Sequence, residues 1–284
     1  MNKNIVVITG ANFLIGHELV KVFLENNWWV HATISSKRKI KEQIIHSNLC
    51  YHEMDLQKTR SVEKTFNKII KREGKIDVLI NNAGFVLAGA FESYSEKQIK
   101  REMDVNFFGA LLTIRNVLPV MKKAKNGCIL NISSLCGLVC FPLFSMYHAS
   151  KWALEGFSES IKYELEPLGI RVKLIEPGGV KDVTYSTNVE FGVNSTTNYD
   201  TIFNAVHKNT SWFPGFSTSA YVASIVYKAA IDDEDKLRYM IGEESNLFLN
   251  ERLEGFKDES FRVKMKKRIF GNKNDILTKY FKYN

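Results

Sequence analysis

Long apolar runs are absent from this chain, and their absence excludes a membrane-spanning helix. The longest strongly apolar run, Leu135 to Phe144, covers about ten residues, whereas a spanning helix needs roughly 20. The amino terminus offers only the short apolar segment Ile5 to Ile8 before a Thr-Gly turn, which is too little for a secretory signal. The sequence therefore predicts a cytoplasmic protein with no membrane span.

Cysteine and proline are both scarce. The four cysteines (Cys50, Cys128, Cys136 and Cys140) lack the paired CxxC spacing of a zinc site, so we expect free thiols and no metal. Only 5 prolines occur in 284 residues, and neither an internal repeat nor a low-complexity linker divides the chain. One domain is predicted for residues 1–250, with a basic helical extension at 251–284 packed on it.

Acidic residues are outnumbered, with 31 Asp plus Glu against 39 Lys plus Arg and a formal charge of +8. Such a charge suits nucleic acid, anionic lipid or an anionic small ligand. Because it is spread along the chain and no nucleic-acid motif accompanies it, we expect a small-molecule ligand and no nucleic acid. The 45% apolar content excludes a disordered tail protein. Abundant Lys, Asn and Ile with little Pro suggest an AT-rich bacterial source.

Apolar β-branched segments alternate with helix-length amphipathic segments. The apolar runs show no in-out alternation, which is typical of parallel strands covered on both faces. These runs lie at residues 5–9, 29–34, 77–84, 128–133 and 171–179, and segments with helical spacing lie at 15–27, 58–73, 95–124 and 147–167. This alternation predicts an α/β fold with a doubly wound parallel sheet.

Two local patterns point to chemistry. The first strand ends in Thr9-Gly10 and leads through Gly16 into a helix, which aims backbone N–H groups and a helix dipole at a phosphate. The turn suits a dinucleotide pyrophosphate, although glycines at a strand-helix turn are often needed only for the conformation of the turn itself. Tyr147 and Lys151 share one helix face. A nearby ammonium lowers a phenol pKa from about 10 and prepares it for proton transfer, but this spacing also arises by chance.

Together with further motifs, these patterns resemble the compact branch of the short-chain dehydrogenases/reductases. The resemblance runs from residue 5 to about 180 and implies a Rossmann fold and an NAD(P)-dependent oxidoreductase that acts on a carbonyl or alcohol group. The shared motifs are Thr9-Gly10 with Gly16, Asn81-Asn82-Ala83-Gly84, Val105-Asn106-Phe107-Phe108-Gly109, Ile132-Ser133-Ser134, Tyr147 with Lys151, and Pro177-Gly178.

The resemblance implies a catalytic tetrad. Tyr147 would protonate a carbonyl oxygen during reduction, or act as the base for alcohol oxidation, and Ser134 would hydrogen bond to that oxygen. Lys151 would hold the nicotinamide ribose and depress the Tyr147 pKa. Asn106 would anchor a water that links Lys151 to solvent. Asp55 would contact the adenine, or alternatively cap the helix that follows it.

The cofactor contacts implied by the resemblance lie at successive strand ends. They are Thr9, Gly10, Asn12, Phe13, Leu14, Ile15, Gly16, Ser35, Lys37, Arg38, Asp55, Leu56, Asn82, Ala83, Gly84, Val105, Tyr147, Lys151, Pro177, Gly178 and Val180. No acidic residue follows the second strand to bind a ribose 2′-hydroxyl, and Lys37 and Arg38 suit a 2′-phosphate. NADP is therefore preferred, with NAD possible.

The chain departs from the family pattern at two positions. Leu14 stands where the turn usually has a third glycine, and its side chain could push the pyrophosphate outward. Asp182 stands where a Thr often binds the nicotinamide carboxamide. An alternative to the enzyme is therefore a catalytically weak or inactive nucleotide-sensing or scaffold protein with the same fold.

The stretch from about 182 to 216 loses strand and helix periodicity, and we expect a lid over the substrate pocket. Aromatic residues favour an apolar carbonyl or secondary alcohol as substrate, although the same residues suit plain core. The pocket candidates are Phe141, Leu143, Phe144, Met146, Tyr185, Trp212, Phe213 and Phe216. The family resemblance also implies a homodimer or homotetramer.

Overall fold

Seven parallel strands form the central sheet of the part of the chain that the structure describes. The structure, a computed structural model, describes residues 3–12, 14–36, 43–181, 189–193, 197–208, 213–255 and 260–270. The strands are β1 (Ile5–Ile8), β2 (Trp29–Ile34), β3 (Leu49–Glu53), β4 (Val78–Asn81), β5 (Val86–Ala88), β6 (Gly127–Ile132), β7 (Ile170–Pro177), β8 (Val189–Phe191) and β9 (Arg238–Ile241). The sheet order is β3-β2-β1-β4-β6-β7-β9, and β5 pairs with β8 separately.

Helices cover both faces of this sheet. They are α1 (Leu14–Glu25), α2 (Thr59–Glu73), α3 (Glu96–Met103), α4 (Gly109–Ala124), α5 (Ser145–Leu165), α6 (Asp200–Phe203), α7 (Ser219–Ile231), α8 (Glu243–Glu254) and α9 (Ser260–Phe270). Alternate residues of β1 supply two cores, since Val6 packs with Phe23 of α1 and Val7 packs with Phe66 of α2. The predicted doubly wound α/β fold is confirmed.

The structure has strands that the sequence prediction missed, among them β5 and β8, and one long predicted helix is interrupted. The prediction missed β3 and β9 because both are edge strands whose residues are mostly half-buried, so neither reads as a continuous apolar run. The helix predicted at 95–124 is interrupted by a π-helical turn at Asp104–Phe108. Such turns often occur at functional sites, and this one carries Asn106.

The carboxyl-terminal part of the described chain packs against the loop after β6. Met265 of α9 is buried in one cluster with Leu135, Val139 and Phe248. The four cysteines are free thiols, as predicted. Among the described residues, no helix combines the length and apolar character needed to cross a membrane.

Candidate active site

Tyr147, Ser134 and Lys151 meet at the carboxyl edge of β6. Ser134 follows β6 and Tyr147 lies in the first turn of α5, and their hydroxyl groups share a hydrogen bond. The Ser134 hydroxyl also accepts from Cys136 N at 3.1 Å. Lys151 lies one helical turn beyond Tyr147, and its ammonium is 5.7 Å from the phenol ring centroid. The residues that the motifs singled out are thus neighbours in space.

The pKa values of this pair differ from the sequence expectation. Burial raises the pKa of Tyr147 above its ordinary value of 10, and the hydrogen bond from Ser134 offsets only part of the rise. Burial lowers the pKa of Lys151 to about 8, and its ammonium donates to Ile132 O at 2.8 Å. The sequence predicts a lowered Tyr147 pKa, whereas in this structure the pKa is raised, because desolvation is the largest cause of the shift. Tyr147 is protonated at neutral pH.

Asn106 hydrogen bonds to the loop that follows β4 and lies near Lys151. Its amide oxygen accepts from Phe85 N at 3.0 Å, and its amide nitrogen donates to Phe85 O at 2.8 Å and to Glu102 Oε1 at 2.9 Å. The nitrogen also lies 3.2 Å from Ser150 Oγ. The bonds fix Asn106 beside Gly84, where an added Cβ would lie 3.1 Å from the Asn106 amide oxygen and 3.9 Å from Lys151 Nζ.

Glu102 is a titratable residue of the site that the sequence analysis missed. It is fully buried, and burial raises its pKa to about 8 although the nearby Lys151 ammonium opposes the rise. A glutamate four residues before Asn106, on the same helical face, was the available signal. The site therefore has a second buried proton-binding group beside Lys151.

We expect the Glu102→Gln variant to lose part of the pH dependence of stability. Folded Glu102 keeps its proton up to about pH 8 while an unfolded glutamate releases it near 4.5, so the wild-type free energy of unfolding falls as pH rises through that window. The neutral glutamine removes this fall, which is on the order of 2 kcal/mol. Urea unfolding at pH 5.5 and 8 measures it.

The exposed Glu96 of the same helix provides the control for Glu102. Glu96→Gln makes the same chemical change on the surface of that helix, and it should leave the wild-type slope between pH 5.5 and 8 intact. Glu176, whose pKa burial raises to about 7, contributes equally to wild type and variants and cancels in the comparison. Equal slopes for wild type and Glu102→Gln would contradict the prediction.

A cleft of about 490 Å³ runs along the carboxyl ends of β1, β2 and β4. Of the predicted cofactor residues, it is lined by Gly10, Asn12, Leu14, Ser35, Asp55, Leu56, Asn82, Ala83, Gly84 and Val105. Thr33, Met54 and Phe85 also line it. The topology brings these segments together because parallel strands end at one sheet edge.

Three of the predicted cofactor residues lie behind the residues that line this cleft. The Thr9 hydroxyl is buried and accepts from the backbone N–H groups of Asn82 and Ala83, both at 3.0 Å. Gly16 packs under the turn, where an added Cβ would lie 2.1 Å from Gly10 O. Ile15 packs against the core on the α1 face of the sheet. None of the three lines the cleft.

Backbone geometry at the turn between β1 and α1 requires glycine at one position and strains another. Gly10 has φ of +64°, and an added Cβ would lie 2.7 Å from Ala83 Cα. Leu14 has φ of +48°, a left-handed conformation that costs a non-glycine residue roughly 1–2 kcal/mol. The Asn12 side-chain nitrogen is buried and finds no hydrogen-bond partner among the described residues.

Asp55 lies at the cleft and does not cap the helix that follows it. It lines the cleft, and its carboxylate accepts from Gln57 N at 3.0 Å and pairs with Lys58 at 3.0 Å. These contacts order the turn that precedes α2. Lys58, and not Asp55, occupies the cap position of α2 and makes no side-chain cap bond.

A second, mostly apolar cavity of about 280 Å³ adjoins the hydroxyls of Ser134 and Tyr147. Ser134 and Tyr147 line it, together with the predicted residues Phe141, Phe144, Phe213, Phe216, Pro177, Gly178 and Val180. Cys136 and Val206 also line it, whereas the candidates Leu143 and Met146 do not. Pro177, Gly178 and Val180 therefore border this cavity and not the cleft.

His148 of α5 hydrogen bonds to the backbone of two residues that line the apolar cavity. Its Nε2 accepts from Phe141 N at 2.9 Å, and its Nδ1 lies 2.8 Å from Cys136 O. Because Nε2 accepts, Nδ1 carries the proton and donates to Cys136. Burial lowers the His148 pKa, so the imidazole is neutral and suited to this double contact.

The short strand β8 crosses the junction of the cleft and the cavity. Val189 lines both, and β8 pairs in parallel with β5. Gln98 of α3 donates to Phe191 O at 2.8 Å and to Glu190 at 3.1 Å, and Arg101 forms an ion pair with Glu190. These contacts tie β8 to α3 above Phe85.

Several predicted residues lie outside the described part of the chain. They are Phe13, Lys37, Arg38, Asp182, Tyr185 and Trp212.

The chain is similar to known oxidoreductases. A family model described as short chain dehydrogenase matches residues 4–190. The chain is 32% identical over 264 residues to the uncharacterised oxidoreductase YusZ of Bacillus subtilis, covering 88% of this chain and 92% of that protein. It is 37% identical over 178 residues to a 3-ketodihydrosphingosine reductase of Bacteroides thetaiotaomicron, covering 63% of this chain and 64% of that protein.

Solved structures have the same architecture. A short-chain dehydrogenase from Streptomyces avermitilis superposes with a TM-score of 0.83 at 24% identity, covering 94% of this chain and 98% of that one, which shows the fold. ElxO, solved with NADP bound, has a TM-score of 0.71 at 27% identity, covering 84% of this chain and 98% of that one.

Proposed function

Because this chain belongs to the short-chain dehydrogenase family and is an oxidoreductase, we propose that it uses NADPH to reduce a ketone or aldehyde on an apolar small molecule. The observation that carries the proposal is the meeting of Tyr147 and Ser134 in the wall of an apolar cavity, with Lys151 behind them. That cavity lies beside the cleft. In the cleft, the buried Asn12 side-chain nitrogen has no hydrogen-bond partner among the described residues, and such a group suits a dinucleotide.

Tyr147 is the proton donor in this proposal. Its raised pKa keeps the phenol protonated at neutral pH, and a protonated phenol can give a proton to a carbonyl oxygen but cannot accept one. Ser134 shares the hydrogen bond with Tyr147 and would donate to the same oxygen as it gains charge. After Tyr147 has given up its proton, Lys151 and Asn106 would pass a new proton to it from the protein interior.

The cleft residues fit a dinucleotide. The Asn12 side-chain nitrogen lacks an acceptor among the described residues, and a phosphate oxygen would supply one. Gly10 leaves room for close approach, and the amino-terminal end of α1 favours negative charge. When bound, the nicotinamide supplies the hydride that the carbonyl carbon takes. Lys151 would hold the ribose hydroxyls, and Asp55 and Leu56 would border the adenine.

NADPH is proposed over NADH from the chemistry after β2. Ser35 and Ser36 line the cleft, and the sequence continues with Lys37 and Arg38 and no acidic residue. Hydroxyls and cations suit a 2′-phosphate, whereas a carboxylate would repel it. The NADP-bound structure of ElxO supports the same choice.

An apolar substrate is proposed from the walls of the cavity. Phe141, Phe144, Phe213 and Phe216 supply aromatic surface, and the hydroxyls of Tyr147 and Ser134 are its reactive polar groups. The 3-ketodihydrosphingosine reductase relative acts, by its name, on a long-chain ketone, which supports a lipid-like carbonyl as the substrate class.

The domain arrangement completes the proposal. We assign residues 1–250 to one oxidoreductase domain, with a lid at about 182–216, and residues 251–284 to a helical extension packed on it. Val206 and Phe213 at the cavity and the buried Met265 of α9 support this assignment. We further propose a homodimer or homotetramer, and size-exclusion chromatography with light scattering would test it.

Cofactor titration followed by a substrate panel tests the proposed function. Nicotinamide fluorescence should show NADPH binding at least about tenfold tighter than NADH, equivalent to roughly 1.4 kcal/mol. NADPH oxidation should then follow addition of medium- or long-chain ketones. Tighter NADH binding would overturn only the cofactor choice. Binding of neither cofactor, or binding without turnover of any carbonyl, would overturn the function.

Leu14→Gly is expected to tighten NADPH binding by about tenfold, or 1.4 kcal/mol, without lowering the unfolding midpoint. Glycine adopts the positive φ of residue 14 freely and removes a side chain that lines the cleft. Fluorescence titration and urea unfolding measure the two effects.

Leu143→Gly is the matched control for Leu14. Leu143 also has a positive φ, of +70°, but lies outside the cleft. The variant should relieve the same backbone strain and leave NADPH affinity unchanged. An unchanged affinity in Leu14→Gly, together with a lower unfolding midpoint, would contradict the prediction and show that the Leu14 side chain mainly stabilises the fold.

A further inference from the structure

A cluster of metal-ligating side chains lies within the sheet, away from the catalytic hydroxyls. His31 of β2 is paired in register with Cys50 of β3, and Thr33 with His52. Because alternate residues of a strand face the same side, the side chains of His31, Cys50 and His52 all point to the face that α2 covers. One ligand atom from each lies within 4.8 Å of the others.

The two imidazoles of the cluster face one another in the interior. His31 and His52 are 1% and 6% exposed, and His31 Nδ1 lies 2.8 Å from His52 Nε2. The two nitrogens share a hydrogen bond in this structure, and a bound cation would replace the shared hydrogen. The cysteine is half-buried.

Glu73 orients the first imidazole from its other side. Its carboxylate oxygen lies 3.3 Å from His31 Nε2, and the side chain is only 3% exposed at the end of α2. Arg72 contacts the same oxygen at 2.9 Å, and Lys3 lies 4.0 Å from the other. A buried carboxylate on the far nitrogen of a histidine is the usual outer partner of a metal-ligating imidazole.

We propose that His31, Cys50 and His52 form a binding site for a borderline-soft divalent cation, Zn²⁺ in particular. Two imidazoles and one thiolate match the donor preference of this ion, and a water would complete four ligands. Zn–N bonds of about 2.0–2.1 Å set the nitrogens about 3.3 Å apart, so the imidazoles separate by roughly half an ångström when the ion enters. The lack of a paired CxxC spacing had predicted no metal, but that criterion considers only cysteines.

The bound ion would tie the edge strand β3 to β2. Thr33, opposite His52 in the register, lines the cleft, so the site lies directly beneath the adenosine side of the proposed cofactor cleft. Metal binding should therefore stabilise this side of the sheet and raise the unfolding midpoint. This inference does not depend on the proposed reaction, and its readouts require neither cofactor nor turnover.

Titration of chelator-treated, reduced full-length protein with Co²⁺ tests the site. We expect one Co²⁺ per chain, with thiolate-to-cobalt charge-transfer absorption that excess Zn²⁺ removes. The Cys50→Ser variant should lose that absorption, whereas Cys140→Ser, which alters an exposed cysteine elsewhere, should keep it. Glu73→Gln should weaken Zn²⁺ binding by about 10–100-fold.

A measurement on the wild type covers the case in which a variant fails to fold. Zn²⁺ should slow alkylation of Cys50 at least about tenfold, as expected when a thiolate is engaged by metal, and should leave Cys140 alkylation unchanged. Absence of the charge-transfer absorption in wild type, its persistence in Cys50→Ser, or equal alkylation of Cys50 with and without Zn²⁺ would overturn the proposal.

Discussion

Replacing Tyr147 with phenylalanine is expected to lower kcat for carbonyl reduction by about 10²–10⁴-fold, the usual contribution of a general acid, while NADPH affinity changes little. The substitution keeps the ring that lines the apolar cavity and removes only the hydroxyl that shares a hydrogen bond with Ser134. Steady-state kinetics with a ketone identified by the panel, combined with NADPH titration, separates the two quantities.

Tyr163→Phe is the control for this loss. Tyr163 lies on the same helix but is 73% exposed, so the same chemical change there should leave kcat within about twofold, well below the effect expected of a proton donor. A Tyr147→Phe variant that retains most of the wild-type kcat would show that another group donates the proton. A variant that loses NADPH binding as well would show that the hydroxyl chiefly positions the cofactor.

Replacing Lys151 with methionine is expected to lower kcat by about 10²–10⁴-fold and to weaken NADPH binding by about 10–100-fold. The affinity loss corresponds to one or two charged hydrogen bonds, which the ammonium would make with the ribose. Methionine retains an unbranched side chain of similar length, so the helix can pack as before. The substitution leaves Ile132 O without its donor at 2.8 Å, which costs about 1–3 kcal/mol of stability.

Lys162→Met is the matched control on the same helix. Lys162 makes ion pairs with Glu166 and Asp235 away from the cavity, and its loss should leave both kcat and NADPH affinity nearly unchanged. Urea unfolding of both variants separates loss of function from loss of folding. Equal losses of activity in the two variants, or full activity in Lys151→Met, would contradict the assigned role.

The site motifs were predictable from sequence because each is local. Tyr147 and Lys151 are one helical turn apart. Thr9 and Gly10 lie in the turn between β1 and α1. Short-range geometry therefore already relates the residues of each motif. The pKa of Tyr147 was not predictable in this way. Desolvation, which depends on packing by residues distant in sequence, raises it.

Long-range packing also explains the residues that the motifs missed. The spacing of four residues places Glu102 beside Asn106, but only its burial in the folded chain raises its pKa. Cys136 and Val206 belong to one cavity although 70 positions separate them in the sequence. The His31, Cys50 and His52 cluster depends on the register between β2 and β3, and the sequence pattern did not indicate that β3 is a strand.

The sequence by itself determined the doubly wound fold and the order of the catalytic motifs, because hydrophobic periodicity and turn residues act over a few positions. The tertiary structure alone decided which residues line the cleft or the cavity, which carboxylates are buried, and which side chains from different strands face one another. Those properties depend on strand register and desolvation, which arise only when segments distant in the chain pack together.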